Sequence, residues 1–173
     1  MMPSPYEVKN TEPSDLDLIF RLFERSIEYQ EEKGYPAWRN YDRQAIIRDI
    51  HDKNQYKIVA EDKTAIVYSV AYSDKIIWRH MDQGESIYLH RIVVNPEFKD
   101  QKLFGKILEW SICHCQLKGL KSIRMDTWAD NPNIINYYTT FGFKIIENYT
   151  TPDSPELPVH NRKLAVTLLE YGA

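Results

Sequence analysis

Two cysteines in 173 residues are too few for a disulfide framework, and Cys113 and Cys115 stand two apart in a run read as helix. That spacing turns them to different helix faces, which disfavours a bridge or a shared metal. No CxxC pair and no histidine cluster accompanies them, so no metal is expected. An excess of one charge is also lacking. The formal net charge is −3, with 22 basic against 25 acidic residues, and no basic stripe runs beside the aromatics. A nucleic-acid partner is therefore not expected. No apolar run approaches the ~20 residues of a membrane span. The opening MMPSPYEVKNTEPSD has no charged segment followed by an apolar one, so it does not read as a secretion leader. Internal repeats, low-complexity tracts and interdomain linkers are missing too. These absences point to a reduced, cytoplasmic protein with no membrane partner and a single domain over residues 1–173.

What remains is ordinary globular material: 43% hydrophobic residues for a core and 27% charged residues for a surface. Tyr6 to Lys9 reads as a first strand. Pro13-Ser14 opens a helix with Ser14 as cap, Asp17 reaching back, and an apolar stripe of Leu16, Ile19, Phe20, Phe23 and Ile27. Gly34 to Trp38 breaks that helix, and Asp42 to Ile50 forms a second. Tyr56 to Ala60 and Ala65 to Tyr72 read as a hairpin turning through Glu61-Asp62-Lys63-Thr64, and Ser86 to Val94 as a third clear strand. Gln101 to Lys118 is a helix with Leu103, Phe104, Ile107, Leu108 and Ile112 on its apolar side, stopped by Gly119. Ile123 to Trp128 is a strand. Asn131 then caps a helix with Pro132 first and Gly142 just past the end. Phe143 to Tyr149 and Leu164 to Leu169 are the last strands, separated by a Pro-rich loop from Thr151 to Pro158.

The order β-α-α-β-β-β-α-β-α-β-β predicts an α/β fold: a mixed, mostly antiparallel twisted sheet with helices on both faces. Two stretches narrow the reading further. The first is Ile87-Tyr88-Leu89-His90-Arg91-Ile92-Val93-Val94-Asn95-Pro96-Glu97-Phe98-Lys99, leading into the next helix. The second is Asp126-Thr127-Trp128-Ala129-Asp130-Asn131, then Tyr138, then Phe141-Gly142-Phe143. Together they resemble the two coenzyme A-binding motifs of the GNAT acetyltransferases: a strand, V-x-P, an aromatic and a basic residue, a phosphate-cradling loop and a helix, followed by N-x6-Y-x3-G-F. The likeness is strongest over residues 86–146, and the whole element order fits it.

The resemblance implies acetyl-CoA as co-substrate and a primary amine of a small molecule or peptide as acceptor, and it leaves a homodimer open. A pyrophosphate suits the unpaired amides and positive dipole of a helix start, here Lys99, Asp100, Gln101, Lys102, Leu103, Phe104 and Gly105. The pantetheine arm, an extended amide chain, would pair with the backbone edge of Ile92, Val93 and Val94 like an added strand. A bulge would open that edge. Tyr138 falls on the tyrosine that protonates the departing thiolate, and Asn131 on an asparagine that contacts the cofactor. Asp126 is the first candidate for general base, with His90 as the second. By strand alternation His90 shares a face with Tyr88, Ile92 and Val94. Tyr35, Trp38 and Trp128 are candidates to contact the acceptor, although aromatics packed between helix and sheet are the commoner arrangement.

One departure stands out. The related loop carries glycines four, six and eight residues after its proline, where this chain has Asp100, Lys102 and Phe104, with Gly105 one position later. Glycine there removes the Cβ that would keep phosphate oxygens from the backbone. Lys99, Lys102 and Lys106 offer charge instead. Two other functions stand beside transfer: a catalytically silent relative that binds coenzyme A or a protein, and an unrelated α/β binding module.

Overall fold

The hairpin that follows the two N-terminal helices turns through two residues rather than four. In the computed structural model, which describes residues 5–173, Ala60 pairs with Lys63 and the intervening Glu61 and Asp62 both take positive φ, +51° and +60°. That is the backbone of a tight turn whose twist matches the flanking strands. The strands are β1 (Tyr6–Asn10), β2 (Gln55–Ala60), β3 (Lys63–Ala71), β4 (Ser86–Val94), β5 (Ser122–Trp128), β6 (Lys144–Thr150) and β7 (Ala165–Gly172). They form one mixed, mostly antiparallel open sheet in the order β1-β2-β3-β4-β5-β7-β6. The parallel pair is β4 with β5, aligned at Ser86–Ser122, Ile87–Ile123 and Tyr88–Arg124.

The helices are α1 (Leu16–Glu32), α2 (Arg43–His51), α3 (Lys75–Trp78), α4 (Phe104–Lys118) and α5 (Pro132–Thr140). Two expectations about the helices need correction. The chain enters α1 through a 3-10 turn, Pro13–Asp15, and the reciprocal cap is Asp15 accepting from the Glu12 amide at 2.8 Å rather than Ser14 with Asp17. α4 begins at Phe104 and not Gln101, because the residues before it take conformations no helix uses. The short α3 was not foreseen. Asp74 caps it by accepting from the Ile77 amide at 3.4 Å, and four helical residues are too few to show a period.

By contact density the chain divides into two units. One holds residues up to Val70 together with His90–Leu108, and the other Ala71–Leu89 together with Glu109–Ala173. In the first, Ile19, Leu22 and Phe23 of α1 meet Ile46 and Ile50 of α2, Val67 of β3 and Val93 of β4, with Trp38 and Tyr41 packed alongside. A smaller cluster joins Ala60, Ala65, Phe98 and Leu103. In the second, Ile77 and Trp78 of α3 pack with Tyr88, Val166 and Leu168. Each such fully buried side chain contributes roughly 1.5–3 kcal/mol of hydrophobic stabilisation. Among the described residues no helix is long and apolar enough to cross a membrane. Cys113 and Cys115 are both free, the first exposed and the second buried, as their spacing on α4 requires.

Candidate active site

In the first unit, β4 does not alternate cleanly to its end. Arg91 takes φ +51°, a left-handed conformation rare for a side-chain-bearing residue in a strand. Its guanidinium is held by Asp49 of α2 at 2.7 Å. The alternation that placed Tyr88 and Val94 on one face therefore fails: Tyr88 is 0% exposed and Val94 43%, while Val93 joins the α1–α2 core. His90 and Ile92, either side of Arg91, are both half-buried.

Beyond β4, Asn95 fixes the start of the loop. Its amide donates to the Ala65 carbonyl at 2.8 Å, its Nδ2 to the Thr64 carbonyl at 2.9 Å, and its Oδ1 accepts from the Glu97 amide at 3.1 Å. Pro96–Phe98 form a 3-10 turn. Lys99, Gln101 and Gly105 then spend their amides on the carbonyls of Pro96, Phe98 and Lys102. The amides of Asp100, Lys102 and Leu103 make no hydrogen bond among the described residues.

The conformation that leaves them so is notable for its residues. Asp100 sits at φ +68° and Lys102 at +52°. These are two of the three positions where the related loop carries glycine, so the left-handed backbone persists without the residue that adopts it freely. It is held from below: Phe98 and Leu103 are 7% and 4% exposed and lie in the same apolar cluster, bracketing the strained pair. Alternating left-handed residues turn consecutive N–H groups toward one concavity, which attracts anions. Around it, Lys99 lies 5.6 Å over the Tyr29 ring and Lys106 5.9 Å over that of Tyr6, while Lys102 is exposed. Phe104 is buried and begins α4.

In the second unit, α5 starts as the sequence reads. Asn131, 8% exposed, accepts from the Ile134 amide at 3.2 Å, and Pro132 is the first helical residue. The helix ends in Gly142 at φ +99°, where an added Cβ would stand 3.1 Å from the Tyr171 ring. Tyr138 is 8% exposed, edge-on to Tyr137 at 5.4 Å and tilted against Phe143 at 6.4 Å. Burial first, and then the neighbouring Tyr137, raise its phenol well above the ordinary tyrosine range. A phenol so placed stays protonated at neutral pH and is equipped to donate.

Asp126 and Trp128 are half-buried and two apart on β5, hence on one face, with Leu168 and Val166 of β7 opposite them. In the first unit, Trp38 packs 5.9 Å from Phe23 and its amide donates to Gln30 Oε1 at 2.9 Å. Tyr35 donates its amide to the Gln30 carbonyl at 2.9 Å. Trp38 is thus tied to the α1 core, and Trp128 forms the end of β5. Sequence reasoning missed the cluster around Arg124, which joins β5 to Glu170 of β7 at 2.6 Å, Tyr88 of β4 at 3.1 Å and the Met81 carbonyl at 2.7 Å. The available signal was a charged residue alternating with Asp126 in an otherwise apolar strand.

The model of the acetyltransferase (GNAT) family matches residues 17–143. The chain belongs to the GNAT acetyltransferase family. A curated relative, the uncharacterized N-acetyltransferase YesJ of Bacillus subtilis (strain 168), is 26% identical over 140 residues, covering 76% of this chain and 78% of that protein. Among solved structures, a GNAT-family acetyltransferase from Listeria monocytogenes 4b F2365 superposes with a TM-score of 0.78 at 17% identity, over 97% of this chain and 95% of that one. The PaiA N-acetyltransferase of Thermoplasma acidophilum, solved with coenzyme A, gives 0.71 at 14% identity, over 97% and 99%. The mixed, mostly antiparallel sheet and the GNAT fold agree with the expectation from sequence.

Proposed function

We propose that the protein transfers an acetyl group from acetyl-CoA to a primary amine of a small molecule or peptide by direct attack on the thioester, working in the cytoplasm as a single domain over residues 1–173. The observation that carries this reading is the loop after Pro96, which keeps a left-handed backbone at Asp100 and Lys102 and leaves three amides unspent. Those amides, with Lys99 and Lys102, suit a pyrophosphate. The edge of Ile92 to Val94, next to the left-handed Arg91, suits the amides of pantetheine, and Asn131 a further contact to the cofactor. The coenzyme A held by the Thermoplasma acidophilum protein supports the same co-substrate here. The family model runs through both units, which supports their working as one domain.

In the reaction, the amine first loses a proton, for which Asp126 is the first choice as base and His90 the second. The free amine nitrogen then attacks the thioester carbon, the C–S bond breaks, and the Tyr138 hydroxyl gives its proton to the departing sulfur. Tyr35, Trp38 and Trp128 are the acceptor-contacting candidates. Two measurements test the reading. Coenzyme A should raise the thermal midpoint of the protein by mass action, and acetyl-CoA with a panel of primary amines should release thiol. Stabilisation without thiol release from any amine would favour a silent, coenzyme A-binding relative, and neither response would remove coenzyme A altogether.

A further inference from the structure

A cavity of about 250 Å³ lies in the second unit, where β4 and β5 begin and β7 ends. Asp126, Trp128, Asn131 and Tyr138 do not line it. Its lining carries two ion pairs of unequal strength. Arg124 and Glu170 are 2.6 Å apart with side chains 14% and 29% exposed. Lys121 and Glu85 are also 2.6 Å apart but 72% and 51% exposed, so this outer pair is the one that opens readily.

The inner pair has valences to spare. Arg124 uses Nε on Glu170 Oε2 and Nη1 on the Met81 carbonyl and the Tyr88 hydroxyl, while its Nη2 has no hydrogen-bond partner among the described residues. Glu170 takes both Arg124 Nε and Ser122 Oγ on Oε2, and its Oε1 accepts nothing among the described residues. One lining edge therefore offers two N–H donors on a cation, and another offers a carboxylate oxygen. The four charged groups sum to zero. A lone anion added among them would meet Glu170 and Glu85 as well as the cations, and a lone cation would meet Arg124 and Lys121. A molecule carrying both charges a few ångströms apart uses both unspent valences and leaves the sum unchanged.

We propose that this cavity binds a small zwitterion, a free α-amino acid. Its carboxylate rests on Arg124 Nη2 and Lys121, and its ammonium on Glu170 Oε1 and Glu85. Met81 is also among the lining residues. The volume falls below the roughly 300 Å³ where sites for drug-sized ligands begin, so the side chain is small. This site is independent of the acyl-transfer reading.

The test uses the full chain, labelled with ¹⁵N and titrated with glycine, L-alanine and L-serine, with acetate and methylammonium as single-charge probes. Amide shifts should move at Glu85, Ser86, Lys121 to Arg124 and Glu170, and each amino acid should bind at least about tenfold more tightly than either probe. Glu170→Gln should weaken binding by about tenfold or more. Gly172→Trp fills the cavity mouth from a position where an added Cβ meets nothing within 4 Å, so it should fold normally and abolish binding. Amino acids that bind no better than acetate, shifts confined to other residues, or binding that survives Gly172→Trp would each overturn the proposal. The last outcome also separates this site from an acceptor site that happens to take amino acids. Should Glu170→Gln fail to fold, Gly172→Trp decides alone.

Discussion

The loop after Pro96 and the entrance to α5 are two turns built on opposite principles. At α5 each residue enforces its own conformation: Asn131 caps, Pro132 presets the first φ and Gly142 takes φ +99° at the end. After Pro96 the residues work against their conformation. Asp100 and Lys102 are held left-handed by Phe98 and Leu103, which are buried on either side of them. A local code can be read without a structure, whereas an imposed conformation depends on residues whose burial only the fold reveals.

The largest effect is expected at Tyr138, which the α5 motif places in register. Tyr138→Phe keeps the ring among Tyr137 and Phe143 and removes only the proton donor. Acid assistance is worth about 10²–10⁴ in rate, so kcat should fall within that range while the KM for acetyl-CoA moves little. Tyr137→Phe is the control, since it points about 100° away on the helix. A loss confined to the control would mean that the register is off by one.

Next comes the anchor of the imposed loop. Leu103 is 4% exposed, and truncating a buried leucine to alanine costs about 2–5 kcal/mol. If the left-handed pair is held from below, Leu103→Ala should also raise the KM for acetyl-CoA severalfold at a temperature where the variant is still folded. A variant that loses stability but keeps its KM would show that the loop holds its own shape.

Asn131→Ala is the matching test of the local code. It removes the 3.2 Å bond to the Ile134 amide, a cap typically worth about 1 kcal/mol. Chemical denaturation should report a loss of that size and no more. A cost of several kcal/mol would mean that α5 leans on Asn131 for more than its cap.

The same contrast explains what was legible. The α1, α2, α4 and α5 segments and all seven strands were visible because their apolar period or turn chemistry repeats over enough residues. α5 was read to the residue. The loop was located by Val94-Asn95-Pro96 and Phe98-Lys99, but nothing about an aspartate or a lysine announces a positive φ, so α4 was started three residues early. Arg91 broke the alternation of β4 for the same reason. The Arg124–Glu170 pair was out of reach because its partners are 46 residues apart, and the β5–β7 register that joins them is a property of the sheet.

The smallest effect, and the one that separates imposed from local conformation most directly, is a gain. A non-glycine residue in the left-handed region costs roughly 1–2 kcal/mol relative to right-handed backbone. Glycine removes that cost but gives the unfolded chain about 0.4–1 kcal/mol of added entropy. Asp100→Gly and Lys102→Gly should each therefore stabilise the protein by about 0.5–1 kcal/mol, raising Tm by about 1–4 °C for a chain of this size. Their effects on coenzyme A should differ. Asp100→Gly removes both a Cβ and a negative charge beside the unspent amides, so calorimetry should show binding tightened severalfold. Lys102→Gly removes a Cβ but also a cation, so its binding gain should be smaller or absent at low salt and should emerge as salt screens the lost lysine. Equal changes in the two variants would mean that charge at this loop is immaterial. A fall in Tm for both would mean that Asp100 and Lys102 make compensating contacts and that the left-handed pair carries no cost for glycine to relieve.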